Sequence, residues 1–136
     1  MENKNMKVLV EFITISEVPD LYEKSMYFTK KISNCKVDYI HKGEYRKYED
    51  GKLSKHPIKN SVLTIANENL DYNNTIIKML SVYEDLLEFF NQIEHDTYIN
   101  ISFYSNDMFS LEFGVEVLGL LKKHNFSLPV SCYREN

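Results

Sequence analysis

The sequence predicts an α+β fold, a single layer of helices on a mainly antiparallel sheet, in the order β-α-β-β-α-β-β-α-β. Three observations carry that prediction. Period-two alternation recurs along the chain, most plainly from Tyr98 to Tyr104, where Ile99, Ile101 and Phe103 oppose Tyr98, Asn100, Ser102 and Tyr104. Between such segments lie stretches of helical spacing, and Ile76, Leu80, Tyr83, Leu87 and Phe90 form the longest apolar stripe. Turn signals such as Asp50-Gly51 and Asn106-Asp107 join strands directly, which favours antiparallel pairing. The first six elements follow the order of a ferredoxin-like unit.

Taken in order, Lys7 to Ile15 places Val8, Val10 and Phe12 on one face and Leu9, Ile13 and Ile15 on the other. Both faces are apolar, as in a central strand. Pro19-Asp20 opens a short helical stretch in which Leu21, Tyr22, Met26, Phe28 and Ile32 recur. Cys35, Val37 and Tyr39 alternate with Lys36 and Asp38, a strand with one wet face. Residues 41–60 lack apolar periodicity, and Asp50-Gly51 marks them as a projecting β-hairpin. Ser61 to Asn67 resumes strand character. A helix is expected from Tyr72 to Gln92, with Asp71, Asn73 and Asn74 each offering an N-cap oxygen. After Tyr104, the alternation of Phe109, Leu111 and Phe113 predicts a returning strand. Gly114 to His124 is helical, with Val117, Leu120 and Leu121 inward and Asn125 suited to a left-handed cap. A last strand runs from Leu128 to Cys132.

Length and composition bound the rest. No Pro/Gly/Ser-rich linker divides residues 1–136, which are read as a single domain. With 43% hydrophobic residues, a chain this long can build a core without a disulfide or metal. The four glycines are scattered and form no phosphate-cradling loop. No apolar run approaches the roughly 20 residues that span a bilayer. Met1 to Lys7 has no apolar stretch of the secretory kind, so a cytoplasmic address is expected. Cys35 and Cys132 show no CxxC spacing and read as reduced thiols, bridged only if their two strands are neighbours. His41, His56, His95 and His124 fall in four segments without ligand spacing, so neither metal nor cofactor is expected.

Several landmarks line up with a known family. His41-Lys42-Gly43-Glu44 follows a strand, and the strand Ser61 to Ala66 and a long helix come next. Leu118-Gly119-Leu120-Leu121 then leads through Phe126-Ser127-Leu128-Pro129-Val130-Ser131-Cys132-Tyr133. Over residues 7–133 this pattern resembles a widespread bacterial family, domain-of-unknown-function family number 4279. The resemblance implies a compact α+β bacterial domain and carries over no catalytic residue. Domains of this size and style also resemble the small immunity proteins that neutralise a sister cell's toxin.

Charge is the most informative feature for function. Residues 1–40 are neutral overall, 41–60 carry +3 and 61–136 carry −7, for a net charge of −4. Between Lys78 and Lys122 no lysine or arginine offsets the acids. Glu84 with Glu88, or Glu112 with Glu116, could stand near each other as an acid–base pair does, but a solvated surface explains them as well. An acidic tract without cations costs stability through like-charge repulsion. Steering of a basic partner would justify that cost, and drift on a solvated surface is the alternative.

The expectation is therefore a non-enzymatic protein-binding domain, an immunity-type inhibitor of a toxin such as a nuclease. Glu84, Asp85, Glu88, Glu94 and Asp96 would supply charge, with Tyr98 and Tyr104 as aromatic anchors. Segment 41–60 interleaves Tyr45 and Tyr48 with six cations, but three acids offset them. Neither nucleic acid nor membrane is the expected partner. The rival reading is a small enzyme or ligand-binding domain with a cleft near His41, Glu44 and Tyr45.

Overall fold

Ten residues of strong β character, Lys7–Ser16, form β1, the middle strand of a five-stranded sheet. The computed structural model describes residues 6–18 and 20–134. The other strands are β2 (Lys36–Ile40), β3 (Ser61–Glu68), β4 (His95–Tyr104) and β5 (Val130–Tyr133), and the spatial order is β2-β3-β1-β4-β5. Antiparallel ladders join β2 to β3, β3 to β1 and β1 to β4, whereas β5 lies parallel to β4. The sheet is thus mixed, and the fold class is α+β.

Four helices pack on one face: α1 (Ser25–Lys31), α2 (Tyr72–Asp85), the single turn α3 (Leu87–Phe90) and α4 (Val115–Lys123). A 3-10 turn, Leu21–Lys24, leads into α1, and Pro19 lies outside the described residues. The chain leaves α1 through Asn34, which takes the left-handed conformation that asparagine tolerates. Asp71 caps α2 as expected, its side chain accepting from the Asn74 amide at 3.3 Å. Asn125 is likewise left-handed beyond α4, and the Phe126 amide closes the cap on the Leu121 carbonyl at 2.8 Å.

Alternation decides which side chains meet the helices. Val8, Val10 and Phe12 of β1, Leu63 and Ile65 of β3, and Ile99, Ile101 and Phe103 of β4 are all buried in one cluster with Ile76, Met79, Leu80 and Tyr83 of α2. Phe12 sits at its centre, 4.6 Å from the Phe28 ring and within 6.5 Å of the Tyr83, Phe90 and Phe126 rings. Burying such a side chain stabilises the fold by about 1.5–3 kcal/mol.

Two expected elements differ. The helix expected from Tyr72 to Gln92 breaks at Leu86, which leaves helical geometry at φ −104°, ψ 11°. At the break Leu86 turns inward with Phe90, and Leu87 of the expected stripe is left half-buried. The returning strand at 109–113 is absent, so the element order is β-α-β-β-α-α-β-α-β. The start of α2 bonds the end of this segment instead, at Glu112 and Gly114. Tyr72 Oη meets the Glu112 amide at 3.1 Å, and the Asn73 amide side chain bonds the Glu112 carbonyl at 2.8 Å and the Gly114 N–H at 2.9 Å. The outer edge of β4 is meanwhile occupied by β5, and the Ile101 amide donates to the Pro129 carbonyl. Phe109 and Phe113 alternate because both rings pack inward, on Phe103 and Tyr72 respectively.

Segment 41–60 is an ordered ribbon. Tyr48 and Lys52 bond across its tip, and the Ser54 amide donates to the Arg46 carbonyl at 2.8 Å. Gly51 has φ +85°, the left-handed position that closes a three-residue hairpin loop, as Asp50-Gly51 predicts. The two cysteines are free. Cys35 precedes β2 and Cys132 lies in β5, opposite edges of the sheet, so four strand spacings of about 4.8 Å separate them and no bridge can form.

Candidate functional site

Among the described residues, no helix lies over the second face of the sheet. Leu9, Glu11, Ile13 and Ile15 of β1 point that way and are each only half-buried. They stand between Glu68, Ala66, Thr64 and Val62 on β3 and Ser102, Asn100, Tyr98 and Asp96 on β4. The apolar pattern on both sides of β1 therefore marks a central strand of which only one side is covered. Half-buried Ile13, Ile15 and Val62 give this face an apolar centre.

Polar groups are held in place around that centre. Asn100 Nδ2 donates to Glu11 Oε1 at 3.1 Å across the β1–β4 ladder. Lys7 and Glu68 pair at 3.6 Å, both largely exposed, so the pair orients side chains more than it stabilises them. Tyr104 stacks on Tyr133 with ring centroids 5.0 Å apart. Two depressions open on the face. One, of about 670 Å³, is lined by Lys7, Leu9, Lys36, Ala66, Glu68 and Tyr104. The other, of about 470 Å³, lies at the far end between Ile13, Asp96, Tyr98, Asn100, Ser127 and Pro129.

Of the seven residues expected to bind a partner, this face carries three: Asp96 at one end, Tyr98 beside Ile13, and Tyr104 at the opposite end. The other four lie elsewhere. Glu84 is engaged inside the helical layer, where its carboxylate meets His124 Nε2 at 2.8 Å and Lys123 Nζ at 3.2 Å. These hydrogen bonds, His124 first and then Lys123, hold the Glu84 carboxyl below its ordinary pKa. Asp85 faces Lys31 of α1 at 3.7 Å. Glu88 is exposed on α3. Glu94 is exposed in the turn before β4, where its carbonyl accepts from Ser16 Oγ at 2.7 Å. Glu84 and Asp85 are thus compensated by cations from distant parts of the chain.

His41, Glu44 and Tyr45 stand on the projecting ribbon and are exposed. The His41 ring lies edge-on to Tyr39 at 6.1 Å. His56 is exposed on the same ribbon, whereas His95 and His124 are half-buried at the edge of the core. His95 Nδ1 meets Thr97 Oγ1 at 2.6 Å, and Thr97 Oγ1 meets the fully buried Thr14 Oγ1 at 2.6 Å. Burial pushes the His95 pKa down, partly offset by Asp96, which favours the neutral ring. Among the described residues, no group of three or more His, Cys, Asp or Glu side chains is placed to hold a metal ion. Also among them, no helix is long and apolar enough to cross a membrane.

Sequence reasoning missed the platform formed by Leu9, Ile13 and Ile15. The available signal was that β1 alone is apolar on both faces, while the flanking strands are not. What the site defines is an α+β domain with one bare, aromatic-edged sheet face. No protein-family model matches the chain, and no curated protein matches it.

Proposed function

We propose that this chain is a non-enzymatic protein-binding domain, an immunity-type inhibitor that presents the bare sheet face to a basic bacterial partner. The observation that carries the reading is the uncovered second face, with an apolar centre at Ile13, Ile15 and Val62 and Asp96, Tyr98 and Tyr104 around it. Partly exposed apolar surface framed by tyrosines and fixed polar groups is the composition of recognition surfaces. Exposed Glu88 and Glu94 add negative charge on the adjoining side, which steers cationic partners without adding contacts. Exposure of His41, Glu44 and Tyr45 on a ribbon favours this reading over a cleft enzyme. A toxin such as a nuclease and a cytoplasmic address belong to the same proposal, as does the likeness to family 4279. We also read the unit from β1 through β4, with α2 and α3 standing for its second helix, as ferredoxin-like, on the support that β3 separates β1 from β2 and that β1 separates β3 from β4.

The experiment is a pull-down from the producing bacterium, followed by binding kinetics at two salt concentrations. Wild type should capture a basic protein. Asp96→Lys should slow association most at low salt, and Tyr98→Ala should speed dissociation. Capture unaffected by either change would remove the sheet face from the interface, and retention of a metabolite in place of a protein would move the reading to ligand binding.

A further inference from the structure

We propose that this chain holds a small free α-amino acid in the cleft between the end of β3, the turn before β2 and the first half of α2, its ammonium on Asn67 and its carboxylate toward Lys78. The cleft has a topological cause. β2 begins at Lys36, opposite Ala66, so Asn67 and Glu68 at the end of β3 have no partner on β2. Ser33 and Asn34 bridge that gap, with Asn34 at φ 60°, and Thr75 and Lys78 of α2 close the other side. About 130 Å³ is left between them. A water molecule in the liquid takes about 30 Å³, so the cleft has room for a small molecule.

One side chain in this wall is left unsatisfied. Asn67 is 3% exposed, and its Oδ1 is a buried acceptor with no hydrogen-bond partner among the described residues. The orientation of the amide is fixed, because Nδ2 donates at 2.7 Å to the Ser33 carbonyl, which can only accept. A buried acceptor without a donor destabilises the fold, and a ligand that donates to it removes that cost. Thr75, equally buried, stands in the same wall. Its hydroxyl donates to the Asp71 carbonyl at 3.1 Å and keeps a lone pair for a second donor. The inner end of the cleft therefore takes a group rich in N–H, such as an ammonium.

The outer end has the opposite character. Lys78 is exposed and forms no ion pair among the described residues. Its ammonium brings a positive charge and donors only. Glu68 also lines the cleft, but Lys7 holds its carboxylate at 3.6 Å. The ligand thus donates inside and presents a negative acceptor outside. In so small a volume both ends belong to one short molecule, and an α-amino acid with little side chain, such as glycine or alanine, has both. Asn67 pairs with Val10 and shares its helix-facing side of the sheet, away from the bare face. This site and the proposed partner surface therefore stand or fall separately.

The test is an NMR titration of the isotope-labelled full chain with glycine, and in parallel with methylamine and with acetate, which carry one end each. Glycine should saturably shift the backbone signals of Ser33, Asn34 and Asn67 and the side-chain amide signals of Asn67. It should bind at least about tenfold more tightly than either fragment. Lys78→Ala, on the exposed side of α2, should weaken glycine by about tenfold and leave the melting temperature unchanged. Asn67→Ala should abolish binding. Because that change also removes the bond to Ser33, the Asn67 side-chain signals of the wild type decide the matter if the variant does not fold. No saturable shift with glycine would assign the cleft to water alone and overturn the proposal. So would acetate or methylamine binding as tightly as glycine, Asn67 side-chain signals that stay put, or a Lys78→Ala chain that binds like wild type.

Discussion

Glu84 on α2 and His124 at the end of α4 meet at 2.8 Å, and the His124 side chain is only 7% exposed. The contact joins residues 40 positions apart and ties the ends of two parallel helices, whose starts are tied by Asn73 and Gly114. Glu84 therefore belongs to the structure of the helical layer. Its replacement by Gln should lower stability by about 1 kcal/mol, the modest end for a bond to a charged group because a third of the side chain is wet. Denaturant unfolding of Glu84→Gln and Glu88→Gln compares the clamp with an exposed neighbour, and only the first should move the midpoint.

Helix docking predicts an unequal pair of core substitutions. Leu80 is fully buried against the sheet, whereas Leu87 sits half-exposed on α3 after the break at Leu86. Leu80→Ala should cost about 2–5 kcal/mol, and Leu87→Ala clearly less. Equal losses in urea midpoints would mean that α2 and α3 act as one continuous helix.

The bare face predicts that binding and stability separate. Ile13→Asp places a charge at the centre of the platform but outside the core, so the melting temperature should change little while partner capture is lost. Val10→Asp, three residues earlier on the same strand but facing the helices, should unfold the domain. Thermal melts of the two variants read the difference directly.

His95 predicts a pH dependence. Its folded pKa lies below its ordinary value of about 6.5, so the unfolded chain takes up the proton first. Stability should be fully present above about pH 6.5 and fall as pH drops toward the folded pKa. Glu84, also depressed, adds a second loss below the ordinary carboxylate range, about pH 4.3. His95→Asn should flatten the first phase and leave the second in a series of unfolding curves.

The thiols should differ in reactivity. Cys132 is exposed on β5, whereas Cys35 is half-buried and burial raises its pKa, leaving less thiolate. Alkylation followed by mass spectrometry should label Cys132 first, and non-reducing conditions should yield no internal bridge. Faster labelling of Cys35 would contradict its packing against Asn67, whose Nδ2 lies 3.9 Å from the sulfur.

Element types and inward faces were legible in the sequence because periodicity is local. The steps from Ile76 to Tyr83, the alternation from Ile99 to Phe103 and the Asp50-Gly51 turn each record contacts within one element or one turn. The same local pattern failed at 109–113. There the alternation of Phe109 and Phe113 records packing against β4 and α2, and side chains about 40 positions away bond the end of the segment. Charge behaved in the same way. A stretch of acids without lysine looked uncompensated along the chain, yet Lys31, Lys123 and His124 reach Glu84 and Asp85 across the helical layer. The sequence by itself determined what each segment prefers to be and which side it buries. Which sheet face stays bare, which acids are spent internally and which edges carry the cysteines were decided by tertiary structure, because those depend on contacts between residues far apart in sequence.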